Sequence, residues 1–450
     1  MKKNILYLLL SFLVVTACKK EEALNVDLTK SNPDLNVPGV IDTWLTTNFL
    51  NPYNMEVLYR FDRFQTPISK DLTPVREEQI QPAMEAVRDV WIAPYLSIAG
   101  SAFLKPFIPK QIALVGSAEY NVDGSITLGT ADAGRRINLF TINDYDKTNV
   151  NGVTQMLHTI HHEFVHILHQ NIPVPPDYEK LSPEYVGGSW ISFTNTAAIA
   201  KDLGFITRYS RMNKDEDFAE TSSFLLVEGQ DAFDIYANTA IATADTRLRQ
   251  KEQMIVDYYK INYSIDFRAL QSKVKEAKET LTGFKTPFRN NLVAGAYKGF
   301  SIDKTASLQS AAFVTAYNTV IANVAASNAF VVDPKMDLEF VNIKSNRADM
   351  VLKFRARGGT FDGSFWYNLR ATINPTTGSV TFTTAAAGTG TEYSNGTALT
   401  VRFQPLLTYL TTNTFTADWI EGVFPGSRDN IVGFSNSANG QLAFHGTIKR

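Results

Sequence analysis

The chain of 450 residues is long enough for two or three domains at roughly 150 residues each. Its 44% hydrophobic and 20% charged residues are ordinary globular composition and exclude a disordered, collagenous or coiled-coil chain. A formal charge of −2 offers no basic field for nucleic acid, and a single cysteine rules out an intrachain disulfide.

At the N-terminus, Lys2 and Lys3 precede the apolar run from Ile5 to Val15, and Thr16-Ala17-Cys18 follow. About eleven apolar residues behind two lysines read as an export signal over residues 1–17, since a membrane-spanning helix needs about 20. Val15-Thr16-Ala17-Cys18 resembles a bacterial lipobox. That resemblance implies that Cys18 is the acylated first residue of the mature chain, with residues 18–40 as its tether. Lys19-Lys20-Glu21-Glu22 resembles the surface-export signal of Bacteroidota-type lipoproteins. It implies an outer-membrane lipoprotein facing outward.

Residues 41–285 read as one domain and residues 286–450 as another. From Thr73-Pro74 to about Val90 a hydroxyl cap, a proline at the first helical position and two early glutamates predict a helix. Gln111 to Val115, Ser125 to Leu128 and Ile137 to Ile142 are β-prone runs, with Asp123-Gly124 as a tight turn. A small sheet is therefore expected just before residue 150. The spacing of apolar residues from 150 to 170 predicts the strongest helix of the chain, with one buried stripe. Further helices are expected from Asp217 to Val227, Asn238 to Lys260 and Phe267 to Leu281.

Beyond about residue 285 one helix is predicted, from Ser307 to Val324, and strands follow. Met350, Leu352 and Phe354 alternate with Lys353, Arg355 and Arg357. Turn signals recur at Arg357-Gly358-Gly359, Asn374 to Gly378, Asn395-Gly396 and Asn439-Gly440. The pattern predicts an antiparallel β-sandwich or barrel-like module. Trp366, Tyr367 and Trp419 are assigned to its core.

Five of the six histidines fall between His158 and His169. At about 100° per residue, with Val153 as zero, His158, His162, His166 and His169 lie at roughly 140°, 180°, 220° and 160°. The apolar stripe occupies the opposite side, and His161 falls at its edge. His162-Glu163-Phe164-Val165-His166 places two imidazoles one turn apart, where both reach one metal about 2.0–2.1 Å away. Zn2+ suits imidazole and carboxylate donors with one open position. Glu163, offset by one residue, faces a water there rather than the metal. A solvated polar helix face is the plainer account of the same residues. The extended run from Arg135 to Ile142, just before the helix, is placed to hold substrate.

A third histidine ligand would follow His-Glu-x-x-His-x-x-Gly-x-x-His, but His169 and Ile172 occupy the Gly and His positions. A carboxylate from a later helix is the remaining source. Glu216 and Glu220 are one turn apart in Glu216-Asp217-Phe218-Ala219-Glu220, so one can bind Zn2+ while the other hydrogen-bonds the far nitrogen of a ligand histidine.

His161 to Gln170, Gly204-Phe205 and Glu216 to Glu220, on a lipoprotein, resemble the substrate-import-associated zinc metallohydrolase lipoproteins, a group of zinc-binding metallopeptidases. The resemblance covers about residues 25–285. It implies an α+β chain: a zincin-like metallopeptidase domain (small sheet, active-site helix, helical lobe) ahead of the β domain. It also implies a gluzincin-like Zn2+ site with His162, His166 and Glu216 as ligands, Glu163 as catalytic base and Glu220 outside the ligand set. A peptide or protein substrate and a nearby outer-membrane nutrient-import complex follow as partners. The later segment resembles the anthrax lethal factor catalytic domain, whose tyrosine seven residues before the ligand glutamate stabilises the transition state; Tyr209 has that offset. His169 is expected behind the ligands or at the rim, and His158 away from the metal. The rival expectation is a surface lipoprotein that binds a glycan or protein, with a structural or vestigial metal.

Overall fold

A computed structural model describes residues 38–61, 69–121, 125–127, 129–132, 135–342, 346–420, 424 and 429–450. The export signal, Cys18, the run from Lys19 to Glu22 and the Asp123-Gly124 turn lie outside these residues. Residues 45–450 form one compact unit. No helix among the described residues is long and apolar enough to cross a membrane.

The elements of the first part, in chain order, are β1 (Glu56–Leu58), α1 (Glu77–Ala86), α2 (Ala93–Phe107), β2 (Gln111–Leu114), β3 (Glu119–Tyr120), β4 (Ile126–Thr127), β5 (Gly129–Asp132), β6 (Arg136–Leu139) and α3 (Val150–Asn171). A four-stranded sheet has the order β1-β2-β6-β5. β1, β2 and β6 run parallel, while β5 is antiparallel to β6. β3 and β4 form a separate pair.

Two expectations are corrected here. The helix expected from Thr73-Pro74 starts only at Glu77, after extended Arg76. Thr73 and Pro74 instead are held by the segments that follow β2 and β6: Gly116 N donates to Thr73 O at 2.9 Å, and Asn143 Nδ2 donates to Pro74 O at 3.1 Å. The strand presented beside the histidine-rich helix is also different. β6 is covered on both edges by β2 and β5, so the outer strand is β5. Its approach to α3 is close enough that a Cβ on Gly129 would sit 2.2 Å from Thr159 Cγ2.

α3 forms because Asn149 caps it, accepting from Gly152 N at 3.1 Å, and because Val153, Leu157, Ile160, Phe164 and Leu168 make one buried stripe. Trp91 and Tyr95 meet Phe164 edge-on at 5.3 and 5.0 Å. The helical lobe continues with α4 (Lys214–Val227), α5 (Gln230–Asn238), α6 (Ala242–Tyr263) and α7 (Phe267–Thr282). α4 starts three residues earlier than predicted because Asn213 Oδ1 accepts from the Asp215 and Glu216 amides at 2.9 and 3.0 Å. Asn238 ends the unpredicted α5 rather than beginning α6.

The second part holds β7 (Gly299–Asp303), α8 (Ala311–Ala325), β8 (Val331–Asn342), β9 (Asn346–Gly358), β10 (Phe361–Ile373), β11 (Ser379–Thr384), α9 (Thr391–Thr412), β12 (Thr414–Trp419), β13 (Ile431–Asn436) and β14 (Leu442–Lys449). The eight strands close into an antiparallel barrel, so its sheet has no edge. Met350, Leu352 and Phe354 point into a core shared with Phe313 and Tyr317 of α8 and Phe403 and Leu406 of α9. Lys353 and Arg355 point outward and pair with Glu339 and Asp362. The turn at Gly378 has φ +74°, which glycine adopts without a Cβ clash.

Asn395-Gly396 is not a turn; it lies inside α9. Gly396 is there because α9 crosses β10 so closely that a Cβ would lie 2.4 Å from Trp366 O. Tyr367 is buried as expected and Trp419 packs on the core from its edge. Trp366, however, faces outward, with the Lys353 ammonium 4.3 Å from its ring centre.

Candidate metal centre

α3 and α4 lie against each other and supply every side chain of the cluster. His162 Nε2 and His166 Nε2 are 2.9 Å apart, and each is 3.1 Å from Glu216 Oε2. Tetrahedral donors about 2.0–2.1 Å from zinc are roughly 3.3 Å apart, close to this triangle. Two imidazole nitrogens and a carboxylate oxygen converging on one point form a donor set that a divalent cation satisfies. The three residues fit Zn2+ on that ground.

A second set, His158, His162 and Glu220, also brings three donor atoms within 4.8 Å. It converges less well. The His158 and His162 rings are stacked, 6.5 Å apart and 26° from parallel, whereas those of His162 and His166 are edge-on at 77°. In the second set Glu220 Oε1 sits between the rings, in hydrogen-bond geometry 3.2 Å from His158 Nε2 and in close ion-pair contact 2.9 Å from His162 Nδ1.

The charges are tied to this packing. Burial opposes charge on His162, but hydrogen bonds to Glu216 and Glu220 raise its pKa to about 9. Burial likewise works against ionised Glu216, and His162 and His166 overcome it, lowering the carboxyl to about 2. Glu220 is held well below the usual carboxylate range by His158 and His162 against burial. Thr207 Oγ1 donates to Glu220 Oε2 at 2.7 Å. His169 Nε2 is 2.7 Å from His166 Nδ1, and burial with His166 beside it pulls its pKa down to about 4. His161 takes no part; it is buried against Tyr95, and burial lowers it to about 3.

Glu163 is buried beside His162 and lines an open cavity of about 970 Å³ together with Gly129, Trp190 and Tyr209. A second cavity of about 460 Å³ is lined by His166, His169 and Glu216. The cluster therefore has accessible space on two sides. The Tyr209 ring stacks over His162 at 5.9 Å and meets Trp190 edge-on at 4.9 Å. Burial, then Glu216 beside it, raises the Tyr209 phenol, so it keeps its proton at neutral pH.

Trp190 is positioned by Arg208, whose Nη2 donates to the Ile191 and Ser192 carbonyls at 2.9 and 3.0 Å. Behind Glu216 and Glu220, the fully buried Asp217 pairs with the fully buried Lys251 at 2.7 Å. Thr207, Arg208, Glu228 and Lys251 went unmarked in the sequence. None stands at a spacing that a helix rule connects to the histidines, and only tertiary contacts bring them near.

Two imidazoles one turn apart on a helix, a carboxylate from a second helix and an adjacent outer strand define the zincin class of metal-binding folds. A family model described as "Putative zinc-binding metallo-peptidase" matches residues 36–268, and the chain belongs to that family. A solved structure described as a "putative zinc-binding metallo-peptidase from Bacteroides caccae ATCC 43185" is 27% identical with a TM-score of 0.47, covering 54% of this chain and 93% of that one. No curated protein matches the chain.

Proposed function

We propose that the chain is a zinc-dependent metallopeptidase. We further propose that it is anchored on the outer membrane through Cys18, faces outward, and works beside a nutrient-import complex. The observation that supports the enzyme reading is the triangle of His162 Nε2, His166 Nε2 and Glu216 Oε2, with sides of 2.9 to 3.1 Å, beside a cavity that Glu163 lines. The anchoring rests on the N-terminal sequence alone.

His162, His166 and Glu216 would hold the ion. Bound there, Zn2+ would supply a Lewis acid that makes a water easier to deprotonate near neutral pH. Glu163 accepts the proton of the attacking water and returns it to the departing amine. Tyr209, which keeps its proton, donates a hydrogen bond to the oxyanion that develops on the carbonyl. The outer edge of β5 offers backbone groups to an extended peptide. Glu220 fixes the His162 ring from behind.

The test uses protein lacking residues 1–18, a mixed peptide library and elemental analysis. One equivalent of zinc and cleavage that a chelator stops are expected. Zinc without cleavage of any peptide favours the surface binding lipoprotein instead.

A further inference from the structure

Beyond Glu220 the cluster does not end. His158 Nδ1 lies 3.0 Å from Glu228 Oε1, and its Nε2 lies 3.2 Å from Glu220 Oε1. Glu220 Oε1 in turn lies 2.9 Å from His162 Nδ1. An alternating row of carboxylate, imidazole, carboxylate and imidazole thus runs from Glu228, at the cavity wall, to the back of a proposed zinc ligand. Two carboxylates facing both nitrogens of one ring require both to be donors, which only imidazolium provides. In agreement, Glu228 and Glu220 overcome the effect of burial and hold His158 well above its usual pKa. Ser223 Oγ, 3.1 Å from His158 Nε2, adds a neutral partner, and Thr207 Oγ1 donates to the other oxygen of Glu220.

We infer that His158 and Glu228 are positioning residues for the metal site, with Glu228 holding His158, His158 holding Glu220, and Glu220 holding the His162 ring. The inference rests on the proposed ligand set. A carboxylate behind a ligand histidine fixes its tautomer and ring orientation and raises its basicity, and removing such partners costs roughly 10- to 100-fold in metal affinity. His158 holds Glu220 in place through the 3.2 Å contact. Glu228, partly exposed at the cavity, acts on the metal only through His158. The row also gives His158 a use that its position away from the ligand triangle leaves open.

Zinc affinity of the leaderless chain, measured against a competing chelator, tests this. His158→Gln is expected to weaken Zn2+ binding by about 10- to 100-fold, and Glu228→Gln by less. The pair His158→Gln/Glu228→Gln should lose no more than His158→Gln alone, because both lie on one chain of contacts. The visible spectrum of the Co2+-loaded protein should change in His158→Gln, a readout that a purely structural role would leave alone. Glu228→Gln, at the partly exposed end, keeps the test open if His158→Gln fails to fold.

Affinities of both single variants within twofold of the parent, or losses that multiply in the double variant, overturn the inference. So does His158→Ala abolishing zinc stoichiometry while His166→Ala retains it, since His158 would then be a ligand. Failure of the parent reading is separate: the unaltered chain would bind no zinc, or His162→Ala would bind as much as the parent.

Discussion

Asp217 and Lys251 form an ion pair at 2.7 Å in which neither side chain reaches solvent, and Asp217 stands between Glu216 and Glu220. Tyr185 OH donates to Asp217 Oδ2 at 3.0 Å, and Lys251 Nζ donates to Gly204 O at 2.8 Å. Replacing Asp217 with Asn preserves shape but turns one acceptor oxygen into an NH2 donor, and it leaves the Lys251 charge buried without its counter-ion. Removing one partner of a buried pair costs about 3–5 kcal/mol. Lysine can escape by releasing its proton, which from an ordinary pKa of about 10.4 costs roughly 4.6 kcal/mol at pH 7 and so caps the loss. The expected destabilisation of Asp217→Asn is therefore about 3–4.5 kcal/mol, read from chemical denaturation. Burial already lowers the Lys251 pKa against the pull of Asp217, and the variant lowers it further. Between that folded value and 10.4 the unfolded chain binds more protons, so the stability of Asp217→Asn should rise with pH more steeply than that of the parent. The double variant Asp217→Leu/Lys251→Met, free of charge, should recover most of the loss. A cost under about 1 kcal/mol for Asp217→Asn, or a double variant no better than the single, would refute the reasoning.

Glu163→Gln should bind zinc like the parent while its turnover falls by at least about 10²-fold, because only the proton acceptor is removed; retained activity rejects the base assignment. Gly129→Val should push β5 off Thr159, whose Cγ2 lies 2.2 Å from the Cβ position, and raise KM for extended peptides with zinc content unchanged. Zinc uptake should release protons. In the metal-free chain Glu216 and Glu220 raise His162 to about 9, and binding needs the neutral ring, so apparent affinity should climb with pH until about 9. The metal-free protein should show the opposite trend in stability. The raised pKa contributes fully below the ordinary histidine value of about 6.5 and is lost as pH rises through about 9, visible in melting temperature.

What the sequence determined by itself is whatever depends on repeats of a few residues along one element. Helical periodicity put His158, His162, His166 and His169 opposite the stripe of Val153, Leu157 and Phe164, because 100° per residue is a local geometric constraint. Alternation along β9 separated Met350, Leu352 and Phe354 from Lys353 and Arg355 in the same way. Tertiary structure decided the rest. Glu228 reaches His158 across seventy residues, and Arg208 fixes Trp190 through backbone carbonyls that carry no side-chain signature. β5 became the outer strand because β6 pairs on both sides. Asn395-Gly396, a turn by its residues, is helical because α9 must pass against the Trp366 backbone where only a missing Cβ leaves room. Contacts between distant segments are chosen by packing of whole elements, and no short window of residues records which partner each one meets.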